Sequence, residues 1–387
     1  MSPHYPPHWL DPQACTVADL DAVVRTPTLH ADYPLASTIT QGVPVYDSAQ
    51  IRGASPAQQQ DLMAEWCRVW QSGPGVLVLQ AAFADLAVVD AATAQFHHLI
   101  AAERSTATRA DHFAKPGAND RVWNALEKLC TAAPDVFAAY YGNPLLAWVC
   151  QAWLGPAYQM TSQINSVNPG GAAQMAHRDY HLGFLGPAQA ARYPAHVHRL
   201  SPALTLQGAV AHVDMPVESG PTLYLPHSQK YLPGYLVAGD PAFQAYFDAQ
   251  YVQLPLKKGD AVFFNPALMH AAGHNRSNDI YRLANLLQVS SAFGRAMESV
   301  DRLRMSRALY PALRGMGVAE QASAVAACAE GYAFPTNLDR DPPLGGLAPE
   351  SQQDLLLRAL REDWPVGQLN AALQQQAEKK LTHQNAL

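Results

Sequence analysis

The chain has 387 residues, 49% hydrophobic and only 15% charged, so it can bury a sizeable core. A net charge of −6 with scattered Lys and Arg excludes the basic footprint of a nucleic-acid binder. Five cysteines, an odd number with no C-x-x-C pair, argue against a disulfide scaffold and fit a reduced compartment.

No apolar run approaches the ~20 residues of a membrane span. The start, Met1 to Trp9, has neither the basic nor the apolar part of a signal peptide, so a cytoplasmic location is expected, with no membrane partner. Residues 1–157 alternate Pro-rich loops with helical pattern. A Ser55-Pro56 start leads into apolar positions at helical spacing through Asp61–Trp70, and Gly73-Pro74-Gly75 stops them. Val76–Leu79 reads as a short buried strand. Residues 85–104 and 134–154 read as two further helices.

Between residues 158 and 295 the pattern changes to short apolar or alternating runs separated by Gly, Pro and Asn. Strands are expected at Gln159–Val167, Gln174–His177, Ala203–Val213, Thr222–Leu225, Tyr251–Leu256, Ala261–Phe264 and Tyr281–Val289. Their spacing predicts a mainly β core with flanking α-helices: a double-stranded β-helix, the cupin-like jelly roll. Residues 296–387 return to helix, and the three regions are expected to form one compact unit.

Side chains at i and i+2 of a strand project on the same side, so His177 and Asp179 can converge on one metal ion. His270 follows a Gly259-Asp260 turn and an apolar run, where a jelly roll can return the chain to the same mouth. Two His and one carboxylate leave coordination positions open, the non-haem Fe(II) oxygenase arrangement. A second H-x-D, His212-Val213-Asp214, has the same spacing, and spacing alone does not choose between them.

Three successive blocks over residues 165–290 resemble the phytanoyl-CoA dioxygenase family of Fe(II)- and 2-oxoglutarate-dependent oxygenases. His177-Arg178-Asp179 looks like the family's H-x-D, and Asp214–Gln229 like its "E-N-G-P" and "P-G-S-H" region. Gly259-Asp260 through His270, then Gly273, Asn275, Ser277 and Arg282, looks like the block with the distal His and the cosubstrate arginine. Ser219 and His227 depart from the pattern, standing where Asn and Gly are usual.

The resemblance implies His177, Asp179 and His270 as iron ligands, and assigns His212 and Asp214 to a structural turn. It implies Fe(II), 2-oxoglutarate and O2 as cofactor and cosubstrates, with succinate and CO2 released and a C–H bond of a small molecule hydroxylated. Related halogenases lack the carboxylate that Asp179 supplies here. Arg282 would meet the distal carboxylate of 2-oxoglutarate as a two-pronged fork, with Arg276 as its rival. Ser277 and Thr222 are candidate hydroxyl partners, and Gln163 and Asn165 are candidates for the C1 side.

The stretch Asp111–Asn124 and the insertion His181–Arg199, rich in cations, are candidate substrate elements and suit a carboxylated or phosphorylated molecule. Two other classes compete. One is a cupin-like isomerase or hydrolase using zinc or manganese; the other is a non-catalytic ligand-binding jelly roll.

Overall fold

A computed structural model describes residues 8–104, 118–180 and 185–382. Residues 111–117 and His181–Phe184 of the two candidate substrate stretches lie outside them.

The first long helix, Pro56–Gln71, starts as its sequence demands: Ser55 and Gln58 form a reciprocal capping box, and Pro56 occupies the first turn, where a missing N–H costs nothing. Its buried face carries Leu62, Trp66, Val69 and Trp70. Gly75, at φ +83, then turns the chain into a strand. Helix Leu86–Arg104 follows the expected span, whereas the helix expected at 134–154 is two, Pro134–Tyr141 and Pro144–Leu154. Asn143 makes the break. Its side chain accepts from Leu145 N and caps the second helix, and Pro144 starts it without an N–H to satisfy.

Eleven strands are present among the described residues: β1 Thr38–Thr40, β2 Val43–Asp47, β3 Val76–Gln80, β4 Asn119–Val122, β5 Gln159–Val167, β6 Thr205–Ala211, β7 Leu223–Tyr224, β8 Val252–Gln253, β9 Ala261–Phe264, β10 His270–Ala271 and β11 Arg282–Ser290. The large sheet runs β1-β2-β3-β9-β6-β11-β5-β4, antiparallel except where β2 meets β3, and the small sheet runs β10-β7-β8. The two sheets make the jelly roll.

β5 and β9 coincide with the expected strands, and β11 is displaced by one residue. The runs at 222–225 and 251–256 shorten to two paired residues each. No strand forms at 174–177, where His177 makes only an isolated bridge with His270. β1, β2, β4 and the two-residue β10 were not expected. Pro44 disguises β2, and the polar Asn-Asp-Arg-Val of β4 reads as a loop because an edge strand needs no apolar run.

Alternation along the central strands builds two cores. On β11, Leu283, Leu287 and Val289 face the helices, joining Leu206 and Val210 of β6 and Phe263 of β9. The opposite face of the sheet carries Val78, Ala209, Ala211, Val262, Phe264 and Ala284, which meet Tyr224 of the small sheet and Leu254 and Leu256 beside it. Each fully buried Leu or Phe contributes about 1.5–3 kcal/mol relative to exposure. The four helices after residue 300, Arg302–Leu313, Val318–Cys328, Gln352–Arg361 and Val366–Lys379, bury their apolar stripes in the outer core. No helix among the described residues is long and apolar enough to cross a membrane.

Candidate metal and cosubstrate site

A cavity of about 560 Å³ opens between the two sheets, and His177, Asp179, His270 and Arg282 all line it. The H-x-D segment is extended but not a strand. His177 and His270 exchange backbone hydrogen bonds of 3.0 and 3.1 Å, and Asp179 N donates to Pro266 O at 2.9 Å. These bonds, rather than a continuous ladder, bring residues 91 positions apart in the chain (179 to 270) to one point.

The ligand atoms of His177, Asp179 and His270 all lie within 4.8 Å of one another. His177 Nε2 is 3.9 Å from Asp179 Oδ1, and His270 Nε2 is 3.7 Å from Asp179 Oδ2. In each His, Nδ1 lies within hydrogen-bond distance of a carbonyl two residues back: Met175 O at 2.9 Å and Leu268 O at 2.8 Å. A proton on Nδ1 serves those carbonyls and leaves Nε2 as a lone pair turned toward the carboxylate. Burial, then the neighbouring His177, holds His270 neutral, the form that binds metal. The donor set therefore fits a divalent iron: two imidazoles and one carboxylate converge at the cavity.

Arg178, between the ligands, points away from them. It is buried, donates to Ser228 O and to Tyr231 O at 2.7 Å, and lies 5.7 Å from the Tyr235 ring centroid. Gly234 leaves room for it, since a Cβ there would sit 2.0 Å from the guanidinium carbon. His227 adopts φ +68, the left-handed region that glycine favours, which accounts for the usual glycine at that place.

Arg282 is the first residue of β11 and only 5% exposed, and its Nη1 has no hydrogen-bond partner. Burial pushes its pKa down to about 10, so it stays charged near neutrality. Next to it in charge terms is Tyr224, whose hydroxyl is buried beside Thr222. Thr222, Gln163 and Asn165 line the same cavity; Asn165 Oδ1 is unpartnered, while Gln163 Oε1 accepts from Arg121 at 2.9 Å.

Ser277 is not among the lining residues. Its hydroxyl donates to Asn275 Oδ1 at 2.6 Å and accepts from Ile280 N, holding the turn before β11. Arg276 is exposed in that turn. The rival H-x-D is separated as well. His212 is buried with Nδ1 on Thr93 Oγ1 at 2.8 Å and Nε2 on Tyr140 Oη at 2.9 Å, so neither nitrogen is available to a metal.

In the insertion, His198 is buried against Tyr235, whereas Arg192, His196 and Arg199 are exposed, and Leu185 alone of 185–199 reaches the cavity. From the earlier stretch, Arg121 and Trp123 line the cavity, with the guanidinium 5.4 Å from the ring.

Sequence reading passed over Tyr224, Gln207 and Gln288. The signal was weak: Gln207 and Gln288 are polar residues at inward positions aligned across β6 and β11, but β11 also carries Arg282, Asn285 and Ser290.

A His/Asp/His cluster that could hold a metal ion and a buried arginine line one cavity of the jelly roll. Residues 62–284 match the family model "Phytanoyl-CoA dioxygenase (PhyH)", and the chain belongs to that family. It is an oxygenase-family enzyme whose cofactors are Fe(II) and 2-oxoglutarate. Similar solved structures include the non-heme alpha ketoglutarate dependent epimerase SnoN from nogalamycin biosynthesis, at 21% identity over 62% of this chain and 85% of that one, TM-score 0.44. Another is the carbocyclase SnoK from the same biosynthesis, at 19% identity over 66% of this chain and 94% of that one, TM-score 0.45. A search of curated protein sequences returned no match.

Proposed function

We propose that the protein hydroxylates an unactivated C–H bond of a small molecule carrying an anionic group, with His177, Asp179 and His270 holding the iron. The observation that carries this reading is Arg282, a buried guanidinium with an unpartnered nitrogen in the same cavity as the three converging ligands. An unpaired buried charge is expensive, so the fold tolerates it where an anion will be bound.

Bound iron would activate O2, the oxidant, with 2-oxoglutarate as the two-electron co-reductant: one oxygen atom would enter the substrate as hydroxyl and the other succinate, with CO2 released. The chain's own residues supply position and dryness. The two imidazoles present Nε2 because backbone carbonyls hold their other nitrogen. Asp179 completes the set with a negative ligand and fills the place that a halide would need, which favours hydroxylation over halogenation. Arg282 takes the distal carboxylate, with the Tyr224 and Thr222 hydroxyls as further donors, and Gln163 and Asn165 flank the C1 end. Ser277 supports Arg282 through the turn rather than by contact. Met215, Leu254, Leu256, Val262 and Phe264 exclude water from this end of the cavity. Arg121 supplies the cation for an anionic substrate.

The test is to add Fe(II) and 2-oxoglutarate to metal-free protein without oxygen and record the visible charge-transfer absorption of chelated cosubstrate. A band that needs 2-oxoglutarate and weakens in Arg282→Ala supports the site. Folded wild type without a band removes this reading and favours another metal or a binding role.

A further inference from the structure

Gln207 is 3% exposed on β6, and its hydrogen bonds account for only half of its amide. The nitrogen donates to Asp179 Oδ2 and to Gln288 Oε1, the latter at 3.2 Å. An ionised carboxylate only accepts, so the nitrogen must face Asp179 and both of its protons are used. The carbonyl Oε1 then faces elsewhere, and it is buried without a partner. Gln207 and Gln288 both line the cavity, as do Trp123, Met175, Leu185 and Met297.

Along the wall, strand register separates this point from the cosubstrate end. Gln207 is aligned with Gln288 and Thr161, whereas Arg282 is aligned with Val167, six residues along β11 from Gln288. The unfilled acceptor therefore lies at the Asp179 end of the cavity, away from the carboxylate pocket. A buried carbonyl without a donor is costly, and Gln207 itself borders the cavity, so a bound molecule can supply the donor once the side chain turns its Oε1 to it.

We propose that Gln207 reads a hydrogen-bond donor on the substrate: the substrate carries a hydroxyl or amino group that donates to Gln207 Oε1 while the amide nitrogen steadies Asp179. The proposal rests on the iron and 2-oxoglutarate reading above and narrows its substrate class to hydroxy- or amino-substituted molecules, as opposed to unsubstituted acyl chains. A site built to pair such a group discriminates strongly against the analogue that lacks it.

The probes are matched pairs of short-chain carboxylates, with and without a hydroxyl or amino substituent. Each is titrated without oxygen into protein loaded with Fe(II) and 2-oxoglutarate, and perturbation of the charge-transfer band is followed. In wild type, the substituted member of the best pair is expected to act at about tenfold lower concentration or less than its partner. In Gln207→Met, similar in length and without the amide, that ratio is expected to fall to within about twofold. Equal action of both members in every pair in wild type overturns the proposal, and would mean that water alone satisfies Oε1. A preference that survives in folded Gln207→Met overturns it too. A wild type with no band at all is a different failure, that of the iron reading itself.

Discussion

Arg178 and Arg282 are both buried guanidiniums, each with its pKa pushed down to about 10 by burial, and they differ in what surrounds them. Both terminal nitrogens of Arg178 are taken by backbone carbonyls beside the Tyr235 ring, leaving only its Nε unpartnered, while a terminal nitrogen of Arg282, Nη1, has no partner and Arg282 lines the cavity. Arg282→Lys is therefore expected to weaken 2-oxoglutarate binding roughly tenfold or more, because a point charge replaces a fork. Cosubstrate titration of the charge-transfer band checks this, and unchanged affinity would detach Arg282 from the cosubstrate. Asp179→Ala removes the anionic ligand. Iron binding and turnover should both be lost in a protein that still melts cooperatively; normal turnover would end the triad assignment.

Among elements, the segment from His227 to Gly234 supports the H-x-D from behind. The Arg178 side chain fills the space that Gly234 leaves by having no Cβ. Gly234→Ala should therefore destabilise the protein by about 1–3 kcal/mol, the usual range for overpacking. Chemical denaturation measures the loss. Iron affinity should fall with it, because Arg178 lies between two ligands; a variant as stable as wild type would show that the loop gives way freely. Strand β11 illustrates what alternation can and cannot reveal. Its two-residue period marks one face with Arg282, Ala284, Leu286 and Gln288 and the other with Leu283, Leu287 and Val289. The pattern does not say which face is cavity; the neighbouring strands and the helices decide that.

For the whole molecule, buried neutral histidines link stability to acid. Burial holds His212 down to about 3 and His227 down to about 4, and it lowers His198 as well. In the unfolded chain each takes up a proton near the ordinary His value of ~6.5, so below that pH the unfolded state binds more protons. Their stabilising effect is complete above that value and is lost progressively as pH falls toward the folded values. Each contributes a slope of about 1.4 kcal/mol per pH unit within its window. Unfolding free energies measured between about pH 6 and pH 4.5 should fall steeply, and His212→Gln should shallow the slope by one proton. An unchanged slope would mean that His212 is already charged in the fold.

What the sequence determined by itself was local or carried by residue type. The helix start at Ser55-Pro56, the strands β5, β9 and β11, and the residue types of an iron site were legible because each depends on neighbours within a few positions. The family resemblance added the choice of His177 and Asp179 over His212 and Asp214. The tertiary structure supplied the physical ground for that choice, since Thr93 and Tyr140 occupy both nitrogens of His212 from helices 119 and 72 residues away in the chain. It alone placed Ser277 in a turn, set Tyr224 near Arg282, and left the carbonyl of Gln207 without a donor. Hydrogen-bond partners and burial are set by register between distant strands, and a linear pattern carries no record of that register.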